Sequence, residues 1–315
     1  MTALTDREST AWPKLPLKYG LSRNFVAPNS LAQSAVFSTQ YYRSNADRPE
    51  YSTPKELKIM GERNEVYQTA GHRLDQGDAD VFYELLRRVL ENGCAMDRET
   101  HVRFNRGELL KALGRTRGGT TRTSLDASLD RLYRAEFKFS VPRLFEGRSR
   151  LILKMIRSSP DSPMEYEYDV LLDVELARLF DGGQWTLLRR SQRDKLKNMS
   201  LARGLHALYS TLLTPHPMFP ETIQELMGRD SMQDSKWRKV LAGALKELQK
   251  ATGWARCELA IDDKKQLMVF VERDANAKPK SKTGNQKTVN SASEAENLSS
   301  PPPDESCVEE EYDDI

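Results

Sequence analysis

The chain has 315 residues, 38% hydrophobic and 30% charged, which is material for two compact domains and polar enough to suggest solvated segments beside them. No window comes near eighteen uncharged apolar residues, and the start lacks a signal-like apolar stretch, so a cytoplasmic protein with no membrane partner is expected. Cys94, Cys257 and Cys307 lie far apart with no CxxC pair, which argues against a zinc site and against a disulfide framework.

The formal net charge of +2 conceals an uneven distribution. Residues 274–315 hold four Lys against ten Asp or Glu, so of 48 basic and 46 acidic residues the rest of the chain keeps 44 and 36. A basic body is the footprint expected of a nucleic-acid binder, though many globular proteins share it.

Residues 1–24 read as a flexible lead. Val81, Phe82, Leu85, Leu86, Val89 and Leu90 then recur at helical spacing and predict an amphipathic helix over 78–92, with Asp78 as its N-cap. A second helix carries Leu109, Ala112 and Leu113 and stops at Gly114; a third carries Leu125, Leu129 and Leu132 on one stripe. The runs 137–144, 150–156 and 166–172 read as strands. Three helices followed by a small sheet is the order of a winged helix.

The same order returns. A helix over 199–213 carries Leu201, Leu205, Leu208, Tyr209 and Leu212, and a short one carries Ile223, Leu226 and Met227 and ends at Gly228. A long helix over 232–250 carries Trp237, Val240, Leu241, Ala244, Leu245 and Leu248, and a hairpin of 255–261 and 266–272 follows. Leu109, Ala112, Leu113 and Gly114-Arg115 match Ile223, Leu226, Met227 and Gly228-Arg229, while Leu125, Leu129 and Leu132 match Leu241, Leu245 and Leu248 after a two-residue shift. The predicted fold class is α+β: two tandem winged-helix domains, over 25–172 and 173–273, with a disordered acidic tail at 274–315.

In a helix-turn-helix the third helix lies in the major groove with its first residues at base edges. On the 232–250 helix, the side opposite Trp237, Leu241 and Leu248 holds Ser235, Lys236, Lys239, Ala242, Gly243 and Lys246, with Arg238 on its flank. Charge alone does not separate this from any solvated helix face; Ala242 and Gly243 would let DNA approach, and Lys264 and Lys265 occupy the tip of a wing. This second domain is the expected main reader. In the first half, the stretch from Arg115 through Arg117, Thr120 and Thr121 to Arg122 reads as a flexible basic lead into a helix whose free face has Thr123, Ser124, Arg131 and Arg134. That stretch is no nucleotide loop, because GxxxxGK[ST] needs a lysine where Thr120 follows Gly119. His72, His101, His206 and His216 form no HxH cluster beside Tyr41-Tyr42, and no carboxylate pair is oriented as acid and base. No catalytic residue, metal or cofactor is expected.

The segment Ala27-Pro28-Asn29-Ser30-Leu31-Ala32-Gln33-Ser34-Ala35-Val36-Phe37 resembles the opening signature of the TrfA-like plasmid replication initiators. The resemblance continues through 104–132, Val170-Leu171-Leu172-Asp173-Val174-Glu175 with Leu179-Phe180, and Lys236-Trp237-Arg238 with Leu245-Lys246-Glu247-Leu248, covering about 27–271. It implies two winged-helix domains that bind direct repeats (iterons) of double-stranded DNA at a plasmid origin, help melt adjacent DNA, and recruit a host initiator and the replicative helicase. It also implies dimerisation through the first domain, for which 137–144 and 150–156 offer strand edges. Of the site residues only Lys236, Trp237 and Arg238 carry over, with Trp237 as core. A winged-helix regulator of a palindromic operator, and a nicking endonuclease, are the alternatives from other classes.

Overall fold

Residues 21, 23–91, 101–142, 144–159 and 165–273 are described by the structure, a computed structural model. The acidic tail expected at 274–315, residues 1–20 of the expected lead, Cys94 and Cys307 lie outside the described residues.

Ahead of the first amphipathic stripe the chain forms β1 (Asn24–Pro28), α1 (Asn29–Ala32), β2 (Phe37–Ser38), β3 (Glu50–Tyr51), β4 (Lys55–Leu57), β5 (Glu65–His72) and β6 (Leu74–Asp75). Most of these strands are too short for periodicity to show. The stripe itself becomes α2 (Gln76–Glu91), where Val81, Phe82, Leu85, Leu86 and Val89 are all buried. Its cap differs from the sequence expectation. Asp75 Oδ1 accepts the Gly77 and Asp78 amides at 2.7 and 3.1 Å, and Asp78 Oδ2 accepts the Asp75 amide at 3.0 Å. This reciprocal box makes Asp75 the cap and leaves Asp78 inside the helix.

Next come β7 (His101–Phe104), α3 (Arg106–Ala112), α4 (Gly119–Arg134), β8 (Glu136–Val141), β9 (Phe145–Arg150), β10 (Ile152–Arg157) and β11 (Tyr168–Leu172). A 3-10 segment (Val174–Gly183) and β12 (Trp185–Arg189) lead into α5 (Arg190–Lys195), α6 (Ser200–Ser210), α7 (Pro220–Leu226), α8 (Asp234–Thr252), β13 (Arg256–Ile261) and β14 (Leu267–Glu272).

Two sheets divide β8 to β11, the four strands that directly follow α4. One runs β10-β11-β7; the other runs β3-β5-β8-β9, with β4 also on β5. The run expected as one strand over 150–156 is therefore two: Arg150 pairs with Glu136, Ile152 pairs with Leu172, and Leu151 between them is fully buried. β8 is paired on both sides, so the edge expected at 137–144 is occupied; β9 and β10 each stand at one edge of their sheets, with β3 and β4, and β7, at the opposite edges.

The element order of the two halves corresponds. In the first, α2, β7, α3 and α4 are followed, after the inserted pair β8 and β9, by β10 and β11, with β7 on β11. In the second the series is α6, Met218, α7, α8, β13 and β14, with Met218 bridging Val269 of β14 in the place of β7. Each half has its own core. Phe82, Leu86, Leu109, Leu125, Leu129, Leu132, Phe137 and Val170 belong to one cluster, and Leu205, Ile223, Trp237, Leu241, Leu245, Leu248 and Val269 to the other. β1 closes on β12 from Asn24↔Arg189 to Pro28↔Trp185, which brings the start of the described chain to the junction between the cores.

His206 of α6 is fully buried, stacked on Trp254 at 6.1 Å, with Nε2 donating to Gln192 Oε1 at 3.1 Å. Burial, then the nearby charges of Arg193 and Arg273, push its pKa from 6.5 down to about 3. The unfolded chain thus takes up a proton near pH 6.5 that the folded chain refuses. The stability is fully present above that pH and is lost, by about 1.4 kcal/mol per unit, as pH falls below it. His206→Gln is expected to remove about 2 kcal/mol of the loss between pH 6.5 and 5 in urea unfolding; an unchanged loss contradicts a neutral buried imidazole.

Candidate nucleic-acid interface

Both short helices end in the same turn. Gly114 and Gly228 take φ +61° and +62°, which only glycine adopts without strain. The Arg115 amide donates to Leu110 O and the Gly114 amide to Lys111 O; the Arg229 amide donates to Gln224 O and the Gly228 amide to Glu225 O. These are matching Schellman closures. The next guanidinium is then drawn inward: Arg115 donates to Gly77 O at 3.1 Å, Arg229 to Thr39 O at 2.6 Å. Burial lowers the pKa of both.

The second turn delivers α8. Gln224 Nε2 donates to Arg229 O and Met232 O at 3.0 and 2.7 Å, fixing the connection from inside. Trp237 Nε1 donates to Pro220 O at 2.8 Å and so locks α8 onto the start of α7. With Trp237, Leu241, Leu245 and Leu248 buried, the helical period turns Ser235, Lys236, Arg238, Lys239, Ala242, Gly243 and Lys246 outward, and all seven are exposed. A Cβ added at Gly243 would meet nothing within 4 Å, so this face is open to close approach. Arg238 reaches Glu221 at 3.3 Å, a half-exposed pair that periodicity does not reveal. The hairpin tip is also preshaped: Asp262 Oδ1 accepts the Lys264 and Gln266 amides at 2.9 and 2.8 Å, and Lys265 sits at φ +62°. The side chains of Lys264 and Lys265 stand exposed.

In the first half the structure rearranges the expected site. Residues from Gly119 on are helix rather than a flexible lead, so Thr120, Thr121, Arg122, Thr123 and Ser124 form the first turns of α4. Thr120, Arg122, Thr123, Ser124 and Arg117 are exposed, while Thr121 is half-buried with its hydroxyl 3.2 Å from that of Thr116. Arg131 is not on the free face. It is buried, with Nη2 2.6 Å and Nε 3.2 Å from Asp78 Oδ1, because a fully buried carboxylate on α2 needs a charged partner. Arg115 is likewise held inside the fold, 4.0 Å from Asp80. Arg134 is exposed but pairs with Asp130 at 2.9 Å and lies fifteen residues past Gly119, about 22 Å along the helix axis. Asp126 of α4 binds Arg106 at 3.1 Å and accepts from Tyr168 Oη at 2.9 Å, which seats the helix on β11. His101 Nδ1 meets Asp169 Oδ1 at 2.6 Å across β7 and β11, a cross-strand pair that residue spacing does not show.

The model of the TrfA protein family matches residues 20–265. The plasmid replication initiator protein TrfA of Escherichia coli is 25% identical over 222 residues, 70% of this chain and 56% of that protein. The chain thus spans about half the length of this curated relative. Among solved structures, selenomethionine derivatives of domains 2 and 3 of RctB superpose with a TM-score of 0.53 at 15% identity, covering 79% of this chain and 99% of that one. A second structure of RctB domains 2 and 3 superposes at 0.49 with the same identity. The first superposition is a likeness of fold, a mixed α and β arrangement.

The two glycine turns test how tightly the halves brace the site. A Cβ at Gly228 would lie 2.7 Å from Arg73 Nη2 and 3.0 Å from Ser38 Oγ, both on buried residues, whereas at Gly114 the nearest atom is Asp194 Oδ1 at 3.9 Å. Gly114→Ala is expected to cost about 1–2 kcal/mol from the left-handed backbone alone. Gly228→Ala should cost at least about 1 kcal/mol more, from the added clash. Equal losses in urea unfolding would contradict the closer bracing of the second turn.

Proposed function

Because the chain belongs to the TrfA family, we propose that it is a replication initiator that binds the direct repeats of a plasmid origin through two winged-helix units. The repeated turn ahead of an exposed, basic α8 carries this reading, since a recognition helix in a major groove, with a wing at its flank, needs such a turn, an open basic face and a basic hairpin tip like Lys264-Lys265. Ser235, Lys236, Arg238, Lys239 and Lys246 are the main DNA-facing set. Arg117, Thr120, Arg122, Thr123 and Ser124 on and before α4 form the second, smaller one. Arg238 exchanges Glu221 for DNA.

In this role the protein is a DNA-binding factor of the bacterial cytoplasm and not an enzyme. Bound to adjacent repeats it favours opening of neighbouring DNA and recruits a host initiator and helicase. Monomers are the form that suits a direct repeat, which lacks the two-fold axis of a symmetric dimer. β9 and β10, each at an edge of its sheet, are where two copies would pair.

Selection from a random-sequence pool by the full chain, followed by footprinting, tests the role. One molecule is expected to protect about 20 bp without internal two-fold symmetry. Lys239→Ala should cost about 1–3 kcal/mol and relax one base position, while Lys264→Ala should weaken all sequences alike and reduce the salt slope by about 0.9. Recovery of a palindrome protected by a dimer, or of no sequence at all, would overturn the proposal.

A further inference from the structure

Tyr41-Tyr42-Arg43 precedes α2 and all the helices after it, yet the fold carries it to the turn between α7 and α8. Thr39, fully buried, donates its amide and its hydroxyl to Met227 O at 2.9 Å each, and receives Arg229 Nε on its hydroxyl at 3.1 Å. Beyond Thr39 the chain crosses to the first half. Asn45 Oδ1 accepts Arg131 Nη1 of α4 at 2.8 Å, and Arg48 pairs with Asp75 and with Asp78 at 3.5 Å. The span from Thr39 to Arg48 thus bridges α4 and the turn that delivers α8.

The bridge is braced internally. Asp47 Oδ2 accepts the amide and the hydroxyl of Ser44 at 3.1 Å each, and the Arg48 amide donates to Asn45 O. Tyr42 turns inward, under the Arg48 guanidinium at 4.8 Å. Its neighbours on either side turn out: Arg43 is exposed and Tyr41 is 71% exposed, the alternation expected of an extended segment. Among the described residues neither outward side chain has a hydrogen bond or ion pair, and the nearby Asp47 carboxylate is occupied by Ser44. A bare cation and a phenol at 71% exposure, held on a braced loop, answer no need of the fold.

We propose that Tyr41 and Arg43 form a third DNA contact, gripping phosphates beside the groove that α8 enters, on the side facing α4. Arg43 lies four residues past Thr39, at most about 14 Å of chain from the α8 turn, comparable with the roughly 12 Å width of the groove whose flanking phosphates it would reach. The Arg43 guanidinium takes a phosphate through two N–H donors, and the Tyr41 hydroxyl donates to the next one. Such contacts fix the register between the two reading helices without choosing bases. The inference rests on the DNA-binding role proposed above.

Binding is measured by fluorescence anisotropy across a salt series for the full chain and for Arg43→Ala, Arg43→Lys and Tyr41→Phe. The probes are the duplex selected by the wild type and an unselected 40-bp duplex. Arg43→Ala is expected to reduce the salt slope by about 0.9 on both and to weaken binding about fivefold at 0.15 M salt. Arg43→Lys should restore the slope, and Tyr41→Phe should weaken binding without changing it. Ethylation interference should lose one phosphate between the two groove contacts in Arg43→Ala. If Lys239→Ala weakens binding while Arg43→Ala leaves slope and interference unchanged, the third contact is wrong and the DNA-binding role stands. If the wild type selects no sequence and binds neither duplex, both fall.

Discussion

Three carboxylates on α2 hold the molecule together. Asp78 and Glu84 are fully buried, and Asp80 is nearly so, yet each faces arginines from elements remote in sequence. Asp78 takes Arg131 and Ser128 of α4 together with Arg48. Asp80 takes Arg193 of α5 at 2.9 Å and Arg203 of α6. Glu84 takes Arg190, Arg87 and Arg88. Burial opposes the Glu84 charge, but hydrogen bonds from Arg87 and the charge of Arg190 outweigh it and hold its pKa below the usual range. Burial also pulls Arg193 and Arg203 down to about 10, still far above neutrality, so both stay charged. Ion pairs of this kind add little net stability over apolar packing, whereas removing one partner costs about 3–5 kcal/mol. What they supply is direction, because a guanidinium meets its carboxylate in few geometries.

That direction matters because the two cores are separate. α2 lies in the first cluster, and its arginine partners on α5 and α6 flank the second. The turns ahead of α4 and α8 are each braced by the opposite half: Lys197 donates to Gly114 O, and Ser38 donates to Gly228 O. Neither helix is therefore set by its own half alone. Gln76 adds to the tie, receiving Arg193 on its side chain and Arg203 on its carbonyl.

Six of the helices, α2, α3, α4, α6, α7 and α8, were legible in the sequence because apolar stripes and glycine stops are local signals, whereas the short α1 and α5 carry neither. Gly114 and Gly228 mark their turns by a backbone conformation that other residues resist, so the repeat shows before any contact is known. Pairings between distant segments left no such mark. β1 finds β12 across more than 150 residues, and β8 with β9 parts from the sheet of the following β10 and β11 to join β5. Arg131 occupies a position on α4 that reads as polar surface, and only Asp78, 53 residues earlier, shows that it is interior. The exposed face of α8 was legible for the opposite reason, since the local stripe of Trp237, Leu241, Leu245 and Leu248 already shows which side of the helix is buried.

A rigid tie between the halves has a consequence on DNA that a flexible linker would not share. The decisive measurement inserts 5 or 10 bp at the centre of the duplex selected by the full chain and compares affinities with that for either half-site alone. Half a helical turn moves one groove to the far side of the duplex, and a full turn restores the side but lengthens the span by about 34 Å. With the halves locked through α2, both insertions are expected to reduce binding to the level of a half-site. Full affinity retained after the 10-bp insertion would contradict the central claim that two fixed helices read one direct repeat.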